Sequence, residues 1–410
     1  MRSDTGRDPL GLQPVWSEFG RRMVPYLAGP VVQLKGVTAV LLIHYVYEKM
    51  FAKDSVQNQV NYRGYFRLME GLLEWYLWKH CDQQHCFGTH TFSSGAPFSV
   101  KAKDDRTLVN GLYQYYRGTC RRAKLLAGDW IVESDVAAAL QNAWSDEVSA
   151  QLKPVLGVSL KDDAQPMAPI QLLKQCPGLT QSLEAVFNSD ALNLILYKSL
   201  FGAEPYMKIA EYCSEMLQAA PHDDDREGFG RTYSWVKKLD TRLADCAVAR
   251  PLLDNLKHID RCEPFLITVQ DGFDYLRCSS GLSISKVATA LAEYCNVIRD
   301  RSKKFIELND VAKNARSSQM LNVAKAAVGG VDDFLRAILK HHASVSEDRG
   351  RDPMALLEGD TILSLATPER TTEVILLRLK NGYPWDNGYY LATAGNLYQQ
   401  AKQAVKAVHV

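Results

Sequence analysis

FRLMEGLLEWYL, residues 66–77, places Phe66, Met69, Leu72, Leu73, Tyr76 and Leu77 at steps of three and four. That spacing gathers them on one face of a helix and predicts that the face is buried. The same rhythm extends outward from this stretch. Trp16, Phe19, Met23 and Leu27 repeat it near the start, and VTAVLLIHYV, residues 37–46, reads as a buried helix. That run contains a histidine and is about half of the ~20 residues a bilayer-crossing helix needs, so no membrane partner is expected. A last amphipathic helix runs from Leu391 to Val408. The fold class these patterns predict is mainly α: a multi-lobed helical protein with a small α+β carboxy-terminal element.

Prolines and glycines divide the pattern. Pro14, Pro25 and Pro30 punctuate the opening, and the Gly-, Ser- and Pro-containing block from Phe87 to Arg106 has no helical period. Leu108, Leu112, Tyr115, Tyr116 and Thr119 share one helix, Gly128 and Asp129 break it, and Ser134 with Asp135 opens the next. This predicts a helix-turn-helix over 107–144 inside an amino-terminal helical lobe, 1–153. Three prolines, Pro154, Pro166 and Pro169, mark 154–178 as a linker. A central helical lobe follows over 179–345, with stops expected at Pro205, Pro251 and Pro264, and a joint between two helices at Gly329–Gly330. The tail, 346–410, holds a strand at Thr361–Leu365 and a helix at Thr371–Leu379. No repeat of 20–50 residues emerges, which disfavours a solenoid.

The chain has 410 residues, more than one hydrophobic core usually serves, so several lobes are expected. Hydrophobic residues make up 46% and charged residues 23%, which is ordinary globular usage and argues against disorder. A formal charge of +1 supplies no global field toward nucleic acid or anionic lipid, so any such contact needs a local patch. The opening residues lack the layout of a secretory signal, and nine scattered cysteines suit reduced thiols. Both point to a cytoplasmic protein. No GK[ST] loop, H-E-x-x-H or G-x-S-x-G occurs, which removes P-loop ATPases, zincins and α/β-hydrolases. E-x-K and H-x-K are also missing, against two common nuclease cores. No cofactor is expected.

Four stretches could carry chemistry. RGTCRRAK, residues 117–124, is the densest basic segment: Arg117, Arg121, Arg122 and Lys124 lie beside Tyr113, Tyr115 and Tyr116. Arginine forks bind phosphate and aromatic rings stack on bases, so these four cations are the candidate nucleic-acid-binding residues; the plainer alternative is a solvated helix face. KHCDQQHCFGTH, residues 79–90, offers Cys81, His85, Cys86 and His90 as an alternative zinc set, beside His80. On a continuous helix the two Cys/His pairs would point in different directions, so a cationic helix end closed by Gly88 competes with it. FLRAILKHH, residues 334–342, carries Arg336 and His341 in the R-x4-H shape of the HEPN ribonucleases, where histidine moves a proton and arginine steadies a phosphorane. A five-residue step separates the two side chains unless the helix is distorted. PHDDDREGFG, residues 221–230, groups His222 with Asp223, Asp224 and Asp225, and reads as an acidic surface loop.

The segments DPLGLQPVWSEFGRRMVPYL (8–27), FRLMEGLLEWYL (66–77) and NGLYQYYRGTCRRAKLL (110–126) resemble a group of bacterial accessory proteins, as does HHASVSEDRGRDP (341–353). Their members begin with D-P-L-G-L and a G-x-x-L-V-P turn, and are encoded in mobile and anti-phage defence islands beside helicases, ATPases or nucleases. The resemblance implies an accessory component of a multi-protein defence system with other subunits as partners; the missing hydrolase signatures favour a non-enzymatic role, and the basic cluster adds DNA as a partner. The alternatives from the residues themselves are a metal-independent HEPN-like ribonuclease using Arg336 and His341, and a zinc-stabilised scaffold.

Overall fold

The structure, a computed structural model, describes residues 8–51, 62–81, 86–93, 111–128, 130–159, 168–219, 238–239, 241–244, 249–308, 315–381 and 387–406. Among these there are eighteen α-helices and one two-stranded sheet, so the protein is mainly α with a small α+β element near its carboxy terminus. In chain order, α1 (Gln13–Met23) precedes a run of ten helices. These are α2 (Leu34–Phe51), α3 (Tyr62–His80), α4 (Thr89–Ser93), α5 (Arg117–Arg122), α6 (Ser134–Ala143), α7 (Asp146–Ser159), α8 (Pro169–Gln175), α9 (Leu179–Phe187), α10 (Asp190–Phe201) and α11 (Tyr206–Ala219). A π-helix, Leu112–Tyr116, leads directly into α5. There follow α12 (Arg250–Cys278), α13 (Ile284–Ala290), α14 (Cys295–Ile306), α15 (Ala315–Gly329), α16 (Val331–Asp348), β1 (Ala355–Glu358), β2 (Thr361–Ser364), α17 (Thr372–Asn381) and α18 (Leu391–Lys406). No described helix is long and apolar enough to cross a membrane.

Two compact units divide the chain, one formed by 1–23 and 222–389 and the other by 24–221 and 390–410. These boundaries differ from the lobes expected at 153, 178 and 345. Pro154 does not open a linker because it lies inside α7, with Leu152 and Leu156 fully buried on either side. The unit containing 24–221 is organised around α2, whose residues from Val37 to Val46 are all buried. A helix that is apolar all round has to be surrounded, and α3, α5, α6, α7, α9 and α18 supply the walls. Its first turn, which has no intrahelical acceptors for its N–H groups, is closed by side chains from far along the chain. The Tyr116 hydroxyl accepts from Val32 and Gln33 N–H, and Gln400 Oε1 accepts from Leu34 N–H at 2.8 Å. Gly36 makes room for this: a Cβ there would stand 2.4 Å from the Tyr116 ring.

The other unit is built on α12, which packs against α1, α14, α16, α17 and β2. A helix boundary does fall at Pro251, where α12 starts, but the stop expected at Pro264 does not occur. Pro251 falls in the first turn, where no N–H partner is lost. Pro264 is internal and costs about 3 kcal/mol. Burial of Leu256, Ile259, Phe265, Leu266, Val269, Phe273 and Leu276 outweighs it, since each large apolar side chain contributes roughly 1.5–3 kcal/mol. The joint expected at Gly329–Gly330 is present as the break between α15 and α16. The strand expected at Thr361–Leu365 is β2, paired antiparallel with β1 from Ala355↔Ser364 to Glu358↔Thr361.

The DPLGL segment is held down by α16. Asp8 caps α1, accepting from Leu12 N–H at 2.6 Å and Gln13 N–H at 3.1 Å. His341 Nε2–H donates to the Leu10 carbonyl at 2.7 Å, and His342 Nδ1–H donates to the Pro9 carbonyl at 2.9 Å. His342 Nε2 accepts from Met354 N–H at 2.8 Å, which fixes a neutral imidazole. Protonating it would set two donors against each other.

Burial lowers the His341 pKa from 6.5 to about 4 and lowers that of His342, with backbone acceptors only partly opposing the shift. The folded state therefore binds protons less readily than the unfolded chain. Stability is full above pH 6.5 and declines as the pH falls toward 4. In His341→Asn this loss between pH 6.5 and 4 is expected to shrink by on the order of 3 kcal/mol, read by urea unfolding at each pH. Parallel wild-type and variant curves would contradict the assignment.

Candidate interaction site around Arg117

The site begins with two carboxylates one helical turn apart on α3. Glu70 and Glu74 are 1% and 2% exposed, buried on the apolar face they share with Phe66, Leu73 and Leu77. Each therefore takes a backbone N–H from another part of the chain, one at the start of the π-helix and one just before α4. Glu70 Oε1 accepts from Leu112 N–H at 2.8 Å, and Glu74 Oε2 accepts from Phe87 N–H at 3.1 Å. Burial raises Glu70 to about 7 and Glu74 to about 8, the latter also through the neighbouring Glu70 charge. The bond to Leu112 sits where the π-helix starts. A π-turn carries an extra residue per turn and re-aims the side chains that follow, and such turns recur at functional sites.

Arg117 is re-aimed into the interior. It is 8% exposed, with its guanidinium carbon 3.6 Å from the Trp130 ring centre, 4.4 Å from Tyr113, 5.6 Å from Tyr62 and 6.0 Å from Phe66. Arg63 lies over Tyr113 at 3.5 Å. Cation–π contact of this kind contributes about 2 kcal/mol when desolvated. His44 stacks on Trp130 at 6.1 Å and 11°, with the Tyr62 hydroxyl 3.2 Å from its ring nitrogens. Burial first, then the Arg117 charge, pushes His44 down to about 3, so it is neutral at ordinary pH. Among the described residues, Arg117 Nε, Arg63 Nη1 and Glu70 Oε2 have no hydrogen-bond partner. Each such buried group costs roughly 1–3 kcal/mol.

The four cations of the basic segment do not share one face. Arg117 is enclosed as described. Arg122 turns inward, its Nη2 donating to the carbonyls of Tyr26 at 3.3 Å and Leu27 at 3.4 Å. Arg121 and Lys124 are exposed, Arg121 lying 5.2 Å from the Trp130 ring and Lys124 adopting a left-handed backbone, φ 56°.

The turn expected near Gly128 is a longer connector, described over 123–128 and 130–133. It is stapled by the Leu126↔Val132 bridge, by Ala127 N–H donating to Ile131 O at 2.8 Å, and by Val132 N–H donating to Glu48 Oε1 at 2.9 Å. It holds Trp130 half-buried at φ 69° and leaves Ile131 48% exposed. The second helix, α6, exposes Ser134, Asp135, Ala138, Gln141 and Asn142, and so offers no cation to a phosphate backbone.

The remaining candidates are placed as follows. Cys86 is buried and hydrogen-bonds Glu74, Cys81 is half-buried, and His80 stacks on Tyr76 at 4.9 Å. His85, the side chain of His90 and the whole 221–230 stretch lie outside the described residues. Among those described, no group of three His, Cys, Asp or Glu could hold a metal. Arg336 is bound at Nε by Asp332 at 2.7 Å and at Nη2 by Asp360 at 2.6 Å, whereas His341 is buried against Leu10. The two share no partner and do not meet.

Sequence reasoning had not singled out His44, Glu70, Glu74 or Trp130. The visible signal was the carboxylate pair at i and i+4 on an otherwise apolar helix face. Comparison of the chain with protein-family models, with curated proteins and with solved structures finds no match.

A carboxyl whose folded pKa is raised contributes stability below its unfolded pKa of 4.5 and loses that contribution as the pH rises through about 8. Glu74→Gln keeps an oxygen for Phe87 N–H and stays neutral. Its melting temperature is expected to match wild type near pH 5 and exceed it increasingly toward pH 9, corresponding to a few kcal/mol. A difference that does not change with pH would refute the buried-acid account.

Proposed function

We propose that this chain is a non-enzymatic helical component of a multi-protein assembly, of the bacterial defence kind that its DPLGL and NGLYQYYRGTCRR segments resemble, and that it docks DNA beside a partner protein. The observation carrying this reading is the connector 123–133. Two exposed cations, Arg121 in the last turn of α5 and Lys124 just after it, accompany the exposed Ile131 and the half-buried Trp130, whose stretch is stapled to 125–127 by backbone hydrogen bonds. A prearranged loop avoids much of the ordering entropy that a flexible one loses on binding. Arg117, buried under Trp130, supports the loop and does not reach for phosphate. The interaction role also gains support from Arg336 and His341, whose hydrogen bonds serve the hairpin turn and the DPLGL clasp.

The test is fluorescence anisotropy of a short DNA duplex with wild type and with Arg121→Glu/Lys124→Glu, across a salt series. Each lost phosphate contact flattens the slope of log affinity against log salt by about 1. The double variant is expected to bind at least ten-fold more weakly, with a slope shallower by about 2. Equal affinity and slope would remove DNA from the proposal.

A further inference from the structure

A cleft of about 710 Å³ lies in the unit built on α12. Arginines from two helices line it: Arg21 and Arg22 from the last turn of α1, and Arg316 from the first turn of α15. Two carboxylates hold two of the three. Glu18 pairs with Arg22 one turn along α1, and Asp348 faces Arg316 Nη2 at 3.4 Å. Among the described lining residues, three guanidinium groups against two carboxylates leave an excess of positive charge. Arg21 has no carboxylate partner among the described residues; its Nε donates to the Ser17 carbonyl at 2.9 Å.

Arg316 is the informative residue. The first turn of a helix disfavours a cation, by roughly 0.3–1 kcal/mol near the surface, and favours an anion. Yet the fold builds an arginine into that position and buries most of it, leaving its side chain 17% exposed. Gln319 Oε1 takes its Nη1–H at 2.6 Å, and Gly11, at φ 63°, lets the side chain lie across the DPLGL turn. A Cβ on Gly11 would stand 2.9 Å from Arg316 Nε. Its remaining partner, Asp348, is 56% exposed at the long end of ion-pair range, so an incoming anion can displace it into solvent. Electrostatic discomfort that is structurally maintained, in a concave site of ligand-sized volume, is the arrangement expected of a resting anion site. Guanidinium forks match carboxylate and phosphate oxygens bidentately, and phosphate, with its higher negative charge, gains more from the surplus of cations.

We propose that this cleft binds a phosphorylated small molecule of nucleotide size, gripped by Arg316 and Arg21 with Arg22 alongside. The volume falls within the range of small-molecule sites and exceeds what a single phosphate would fill.

The experiment is calorimetric titration of the full chain with inorganic pyrophosphate and with ADP, in metal-free buffer at low salt. Saturable one-to-one binding of ADP, at least as tight as that of pyrophosphate, is expected. It should weaken about ten-fold or more in Arg21→Gln and again in Arg21→Gln/Arg316→Gln. Arg21 is exposed, so its replacement tests the site without endangering the fold. Arg121→Glu/Lys124→Glu should leave the titration unchanged, which separates this site from the DNA proposal. Absence of saturable binding, or equal binding by the double arginine variant, overturns the inference. So does a result in which Arg21→Gln weakens only the DNA duplex while neither small anion binds.

Discussion

Carboxylates buried on core helices organise much of this protein. A charged or even neutral carboxyl out of water has to find donors, because leaving one unanswered costs several kcal/mol. In the unit built on α12, Glu263 is fully buried and receives the Trp16 indole N–H at 2.7 Å, the Asn387 N–H at 3.1 Å and the Tyr389 hydroxyl. Asp271, eight residues along the same helix, takes Arg378 Nε–H at 2.9 Å. In the other unit, Glu70 and Glu74 draw in the 112 and 87 backbones. Each core acid thus places a segment far from it in sequence, where apolar burial alone would leave many packings nearly equal in energy.

The Arg117 neighbourhood follows from that constraint. Tying Leu112 N–H to Glu70 accompanies a π-turn, and with it Arg117 points under Trp130. The tyrosine that ends the π-turn, Tyr116, instead caps α2 through its hydroxyl. A stretch that reads as a basic helix face is therefore split by its own geometry into two inward-facing cations, Arg117 and Arg122, and two outward-facing ones, Arg121 and Lys124. The outward pair stands beside a loop that Arg117 supports by stacking on Trp130, while Arg122 ties the end of α5 to the Tyr26 and Leu27 carbonyls.

Much of the secondary structure could be read directly. The periodic faces of α1, α2, α3 and α18, the break at Gly329–Gly330 and the strand at 361–364 all lie where apolar spacing and punctuating residues put them. Prolines misled where burial was strong: α7 passes through Pro154 and α12 through Pro264, because a local penalty of about 3 kcal/mol loses to several buried side chains. The R-x4-H pair of α16 looked like chemistry because residue type and spacing are visible in a sequence while partners are not. Its histidine instead fastens Leu10, and its arginine fastens Asp332 and Asp360.

What the residues alone determined is the helical class, the buried faces and the candidate cations, since these depend on local periodicity and side-chain type. Only the folded chain decided which cations face water, which acids are neutral and which arginines converge on a cleft. Those outcomes depend on contacts between positions far apart, such as Tyr116 with Val32, Arg316 with Gly11 and Glu263 with Tyr389, and no local pattern encodes a partner so distant in sequence. Burial then sets the charge state: a carboxyl on α3 and a histidine on α2 have ordinary side chains, and their pKa values are displaced by the walls that tertiary packing builds around them.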